Sequence, residues 1–274
     1  MHRIATAIFL LTLTAPLARP QATASPSVSA QTAPPLAFDV VSIKRNHSGP
    51  GPAMIISPID SDQILVANAS PHAIIGEAYN IRLHDLIVGL PTWADSETYD
   101  IEAKVASSDL RAFRQLLPMQ RNPMLQSILA DRFHLISHFE TRRLAAYALV
   151  VAKGGPKLKQ IEPGTLPSGL KDPGGINTSR NAMTATGTSM VPLIHVLQMQ
   201  LGRPIVDRTG LAGNYDFKLN WTPDPAGAPS ASPDGESGPS IFTAIQEQLG
   251  LKLEPVKAPV PVLVVDHIER PPGN

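Results

Sequence analysis

The sequence predicts an α+β fold made by tandem duplication of a helix-strand-strand-helix-strand-strand unit, with an extra N-terminal strand pair. Three observations carry that prediction. Tyr99-Asp100-Ile101 recurs as Tyr215-Asp216-Phe217, 116 residues later. At the same offset Leu125, Leu129, Phe133 and Leu135 fall on Ile241, Ile245, Leu249 and Leu251. Upstream the offset is 119, so the helix start at Ser70-Pro71 falls on Ser189 and the strand 85–88 on 204–207. A self-match held across separate elements, shifting only where a loop can absorb it, is the signature of a repeated unit.

The elements follow in order. Phe38 to Ile43 alternates as a strand, a Gly/Pro-rich loop follows at Ser48 to Pro52, and a second strand over Gln63 to Ala67 is expected to pair with the first. Ser70 is placed to cap a helix with Pro71 at its first position, and Ile74, Ile75 and Ala78 form its apolar face. Ser189 is the expected cap in the second copy, ahead of Leu193, Ile194 and Leu197. Short apolar strands come next, at Asp85 to Val88 and Pro204 to Asp207, and an indel of three lies around Gly89 to Ser96. The strands Tyr99 to Val105 and Tyr215 to Trp221 alternate apolar and polar residues, the pattern of a half-buried strand.

A short amphipathic helix follows in each copy. Met124, Leu125, Ile128 and Leu129 mark the first, which should end near Asp131; Ser240 caps the second and Gly250 stops it. Each unit then closes with a hairpin whose second strand is an apolar run, Ala148 to Val151 and Val262 to Val265. The turn of the first hairpin is expected at Phe139 to Leu144. The division is therefore 1–24 leader, 25–35 tether, 36–153 first repeat with the N-terminal strands, 154–181 linker and 182–274 second repeat with a loop insertion at 223–239. The tether, linker and insertion are rich in Pro, Gly and Ser without apolar periodicity.

The N-terminus predicts an address. Met1-His2-Arg3, an apolar run from Ile4 to Ala15 and the small-x-small Ala22-Thr23-Ala24 have the form of a secretory signal cleaved after Ala24. That run is shorter than the ~20 residues a membrane-spanning helix needs, so no stable membrane span is expected after cleavage, and the destination is the periplasm or the medium. With no cysteine in the chain, stability rests on packing rather than disulfides. Cleavage removes Arg3 and Arg19 and leaves 21 basic against 23 acidic residues. A charge near −2 gives no basic footprint for nucleic acid.

Reactive residues are sparse. His134 and His138 have a His-x-x-x-His spacing, but on a strand they lie roughly 13 Å apart, too far to share an ion. His138 and Glu140 project to one side of a strand and are the candidate metal ligands. There is no nucleophile elbow and no cysteine, and no glycine-rich loop has the spacing that binds phosphate or a dinucleotide. No cofactor is therefore expected. Asp100 and Asp216 occupy one position in two copies, which a shared structural role at a strand start explains. Trp93, in the loop where the copies differ in length, and Arg203, Asp207 and Arg208 around a short strand are the candidate binding residues. Packing for Trp93 and a surface salt bridge for the charged three are the plainer readings.

Phe38 to Lys44, Tyr99 to Lys104, Leu129 to Phe133, Tyr147 to Lys153, Arg203 to Leu211 and Asp216 to Pro223 together resemble a large family of secreted proteins from soil bacteria. That family has no known function, so the resemblance implies an exported α+β protein and transfers no catalytic residue. The chain departs from the family pattern at Leu90, where a second glycine is expected, and at Ala145-Ala146, where proline-valine is usual. Each half is also loosely similar to the short N-terminal module of secretins and TonB-dependent receptors, which implies contacts with envelope proteins. The expected function is that of an exported, non-enzymatic binding module for an envelope protein or an extended peptide. The alternative is a metal-assisted hydrolase using His138 and Glu140.

Overall fold

Alternating strands flanked by short helices require two-layer packing, and in the computed structural model of the chain they form three four-stranded sheets and six helices. The structure describes residues 36–49, 51–58, 61–162, 164, 174–222 and 238–272. The leader, the tether and most of the 223–239 insertion lie outside them.

The first sheet has the order β1-β5-β3-β2, from β1 (Phe38–Arg45), β2 (Met54–Ile56), β3 (Gln63–Ala69) and β5 (Tyr99–Val105). The expected pairing of the two N-terminal strands is corrected here. β1 and β3 flank β5 on opposite sides, both antiparallel to it. β5 alternates buried and partly exposed residues, so it takes the central place. Helices α1 (Pro71–Ala78) and α4 (Asn122–Phe133) cover this sheet, with α2 (Trp93–Ser96) and α3 (Leu110–Arg114) beside them. Ser70 caps α1, its Oγ accepting the Ala73 N–H at 3.2 Å. α4 runs two residues past the expected stop and ends on His134 in the left-handed conformation, φ 49°.

The second outer sheet has the order β7-β11-β9-β8, from β7 (Lys159–Ile161), β8 (Gly175–Thr178), β9 (Ala182–Thr188) and β11 (Asn214–Asn220). β7 and β8 fall inside the 154–181 stretch read as linker. Their residues are mostly exposed and carry no apolar alternation, so backbone pairing alone defines them as edges. Helices α5 (Val191–Leu201) and α6 (Ile241–Ala244) pack here, α6 running into a π-helical turn at Ile245–Leu249 that Gly250 closes at φ 65°. Ser240 caps α6 as expected, whereas the cap position of α5 is Met190, which makes no side-chain cap bond, so Ser189 is not the cap.

The largest correction concerns the two hairpins. Residues 136–151 form one strand, β6 (Ile136–Val151), with no turn at Phe139 to Leu144, and residues 251–267 form another, β12 (Leu251–His267). They pair antiparallel along their length. β10 (Ile205–Asp207) adds in parallel to β6 and β4 (Ile87–Val88) to β12, giving the central order β10-β6-β12-β4. Thr141-Arg142-Arg143 contains no turn residue, and Pro255, Pro259 and Pro261, which look like breakers, occupy positions that need no N–H in the ladder.

This ribbon joins two cores. Leu263 and Val265 of β12 pack with Ile74, Ile101, Leu129 and Phe133 in the first. Leu149 of β6 packs with Leu193, Leu219, Ile245 and Leu251 in the second. Asp100 Oδ1 accepts the N–H of left-handed Asn68 at 2.8 Å, and Asp216 Oδ1 accepts that of left-handed Gly187 at 2.8 Å. Each aspartate thus pins a bulge in the neighbouring strand, the structural role expected of the pair.

Candidate functional site

Trp93 opens α2 and packs against the first core, with the Arg270 guanidinium 4.9 Å above its ring. Arg270 is fixed in turn by hydrogen bonds of 3.0–3.2 Å to the Glu97 carboxylate, which hold that carboxyl below its usual range. Arg203 lies 5.9 Å over the Tyr147 ring beside the second core. Asp207 accepts the N–H and hydroxyl of Thr209 at 2.8 and 2.7 Å, closing a turn, and Arg208 donates its main-chain N–H to Leu149. Among the described residues no ion pair joins Asp207 to either arginine. None of the four lines either of the two cavities described below.

His138 and Glu140 do meet. His138 Nε2 is 3.5 Å from Glu140 Oε1, and its Nδ1 is 2.8 Å from Asp266 Oδ2 on β12. Asp266 first, then Glu140, raises the His138 pKa above its ordinary value. Glu140 is held on its other side by Arg142 through bonds of 3.0 and 2.7 Å. The Arg142 guanidinium thus pairs with the carboxylate that a cation would use.

A second cluster escaped the sequence reading. His72 sits in the first turn of α1, His84 opens a 3₁₀ turn at His84–Leu86, and Asp95 lies in α2. His72 Nδ1 is 2.7 Å and His84 Nε2 is 3.0 Å from the same Asp95 Oδ1. The two imidazoles stack with centroids 3.7 Å apart. His72 is only 6% exposed and its Nε2 has no hydrogen-bond partner. Burial, then the neighbouring His84, lowers the His72 pKa against the opposing pull of Asp95. Burial would raise Asp95, but hydrogen bonds from His84 and His72 outweigh it and the carboxyl titrates below its usual value. A cavity of about 340 Å³ opens beside the three, bordered by Ser70, Glu77, Arg82 and Met199. Spacings of 12 and 11 residues match no ligand motif, and nothing short of the fold brings these side chains together.

The central ribbon has two unlike borders. Tyr147 donates its N–H to Pro204 and Leu149 accepts from Arg208, so the odd-numbered residues of β6 direct their main-chain groups away from β12. The ladder keeps its register from Leu251 to Val265, so Ser137, Phe139, Thr141, Arg143 and Ala145 also face outward. No strand pairs with that side of β6 among the described residues. Their partners facing the opposite border of β12 include Pro255, Pro259 and Pro261. Three missing donors leave Lys257 as the sole N–H on that stretch, a device that prevents strand addition. Beside the open border lies a cavity of about 420 Å³, lined by Tyr79, Leu86, Phe139, Pro204, Val206 and Val260 among others.

A family model described as "Protein of unknown function (DUF3738)" matches residues 72–268. The chain belongs to the DUF3738 family. The match starts at His72 and takes in both histidines, Asp95, the whole of β6 and β12 and all the candidate residues above. No curated protein and no solved structure matches the chain. Among the described residues, no helix is long and apolar enough to cross a membrane.

Proposed function

We propose that this DUF3738 protein is an exported, non-enzymatic binding module that takes an extended peptide from an envelope or extracellular partner as an added strand on β6. The observation that carries the reading is the asymmetry of the ribbon. Among the described residues, outward main-chain groups from Ser137 to Ala145 on β6 have no strand partner, while proline occupies three outward positions on β12. Main-chain hydrogen bonds to β6 would supply affinity, and the adjoining apolar cavity would take alternate side chains of the guest and select among sequences. Export rests on the leader pattern at residues 1–24. The two halves are read as copies of one unit, supported by the 116-residue offset and by the paired Asp100 and Asp216 bulges.

The test uses peptides selected on the mature protein from a displayed library. In Thr141→Pro the outward N–H is lost and the ladder to β12 is kept, so affinity should fall at least about tenfold. Lys257→Pro alters the opposite border and should bind as the parent does. Amide exchange over 137–145 should slow on peptide addition. Failure to select any peptide, or equal binding by Thr141→Pro, overturns the reading.

A second reading, metal-assisted hydrolysis through His138 and Glu140, is favoured by the approach of His138 to both Glu140 and Asp266. Arg142 opposes it by occupying Glu140.

A further inference from the structure

The cluster of His72, His84 and Asp95 plays no part in strand addition, and its geometry has a chemistry of its own. Three short elements bring one donor each together, with all three donor atoms within 4.8 Å of one another. Here His84, whose side chain is 68% exposed, is nevertheless held against the ring of His72. His72 Nδ1 and His84 Nε2 approach the same Asp95 oxygen at 2.7 and 3.0 Å, so two imidazole nitrogens and a carboxylate oxygen stand together beside an open cavity. These are donor types that a divalent transition metal takes as ligands.

We propose that His72 Nδ1, His84 Nε2 and an Asp95 carboxylate oxygen bind one divalent transition-metal ion of the zinc class. Two nitrogens and one oxygen form a borderline donor set that suits zinc better than calcium or magnesium, which favour oxygen alone. The cavity beside the cluster leaves room for water or a small ligand to complete the coordination. His72 brings rigidity, since its ring is buried, its Nδ1 is held by Asp95 and its far nitrogen has no hydrogen-bond partner. A metal–nitrogen bond would offset the cost of burying that ring.

The experiment is zinc titration by calorimetry of the full mature protein after chelator treatment, with Co²⁺ as a spectroscopic probe. The expected result is one zinc per chain and visible d–d absorption from bound Co²⁺. His84→Ala and Asp95→Asn each remove a ligand and should weaken zinc by about 100-fold or more, since even outer-shell changes cost 10–100-fold. His84 is exposed, so His84→Ala should keep the parent's thermal transition without metal. His138→Ala, which disables the other histidine-carboxylate group, should bind as the parent does. Absence of zinc binding overturns the proposal, as does equal binding by His84→Ala and Asp95→Asn. Loss of binding in His138→Ala would place the metal on the ribbon and overturn it equally.

Discussion

The two outer sheets share a plan and differ in what they carry. In each, the strand before the first helix lies next to the strand after it, as β3 beside β5 and β9 beside β11. In each, an aspartate on the later strand holds a left-handed residue on the earlier one. The residues filling the unusual conformations are not the same. The first sheet uses Asn68 and His134, at φ 50° and 49°, where the second uses Gly187 and Gly250, at 64° and 65°. At the 119-residue offset, His72 and His84 correspond to Val191 and Arg203. The bulge-pinning aspartates are common to the two sheets, whereas the cluster of His72, His84 and Asp95 lies beside the first.

Exchanging the left-handed residues tests the first part of that contrast most severely. A Cβ on Gly250 would run into the Gly155 carbonyl as well as adopting a disfavoured φ, so Gly250→Ala should cost about 3 kcal/mol in urea unfolding. His134 is exposed at the matching cap, and His134→Gly should instead stabilise by about 0.5 kcal/mol. Equal effects at the two caps would break the comparison. The aspartates should differ less. Asp100 accepts from Asn46 as well as Asn68, whereas among the described residues Asp216 accepts the Gly187 N–H alone, so Asp100→Ala should cost about 2 kcal/mol and Asp216→Ala about 1 kcal/mol.

The smallest effect is one of titration, between two histidines in opposite surroundings. His72 is lowered from 6.5, so the unfolded chain binds more protons below that pH and this group's contribution falls as pH drops toward its folded value. His138 is raised from 6.5, so its contribution is complete below 6.5 and is lost as pH rises through its folded value. NMR titration of the ring protons should give midpoints on opposite sides of 6.5, and midpoints in the reverse order would contradict both environments.

Much of the fold was legible because it is written locally. Ser70-Pro71 and Ser240 announce helix starts, Gly250 a stop, and the alternation of Tyr99 to Val105 a strand against a core. The ribbon was not, because a proline's meaning depends on which way its nitrogen faces. In Pro255, Pro259 and Pro261 that direction is set by pairing with a strand over a hundred residues away. β7 and β8 were missed for a related reason, since their exposed polar residues give backbone pairing no side-chain signature. The site was less legible still. His138 and Glu140 are neighbours on one strand and could be read from a period of two, and they do approach. His72, His84 and Asp95 belong to a helix turn, a 3₁₀ turn and a four-residue helix, whose relative placement no spacing encodes.

The long ribbon also sets an order of events. Leu263 and Val265 complete the first core, and Leu149 completes the second. The first core takes one wall from the last strand, so a chain made only as far as the first half has a sheet and helices with that wall missing. Closure waits for the last strand to arrive and pair across a very large loop, a step governed by chain entropy and slow by the standards of local folding. Until β12 is made, the first core lacks the wall that Leu263 and Val265 supply.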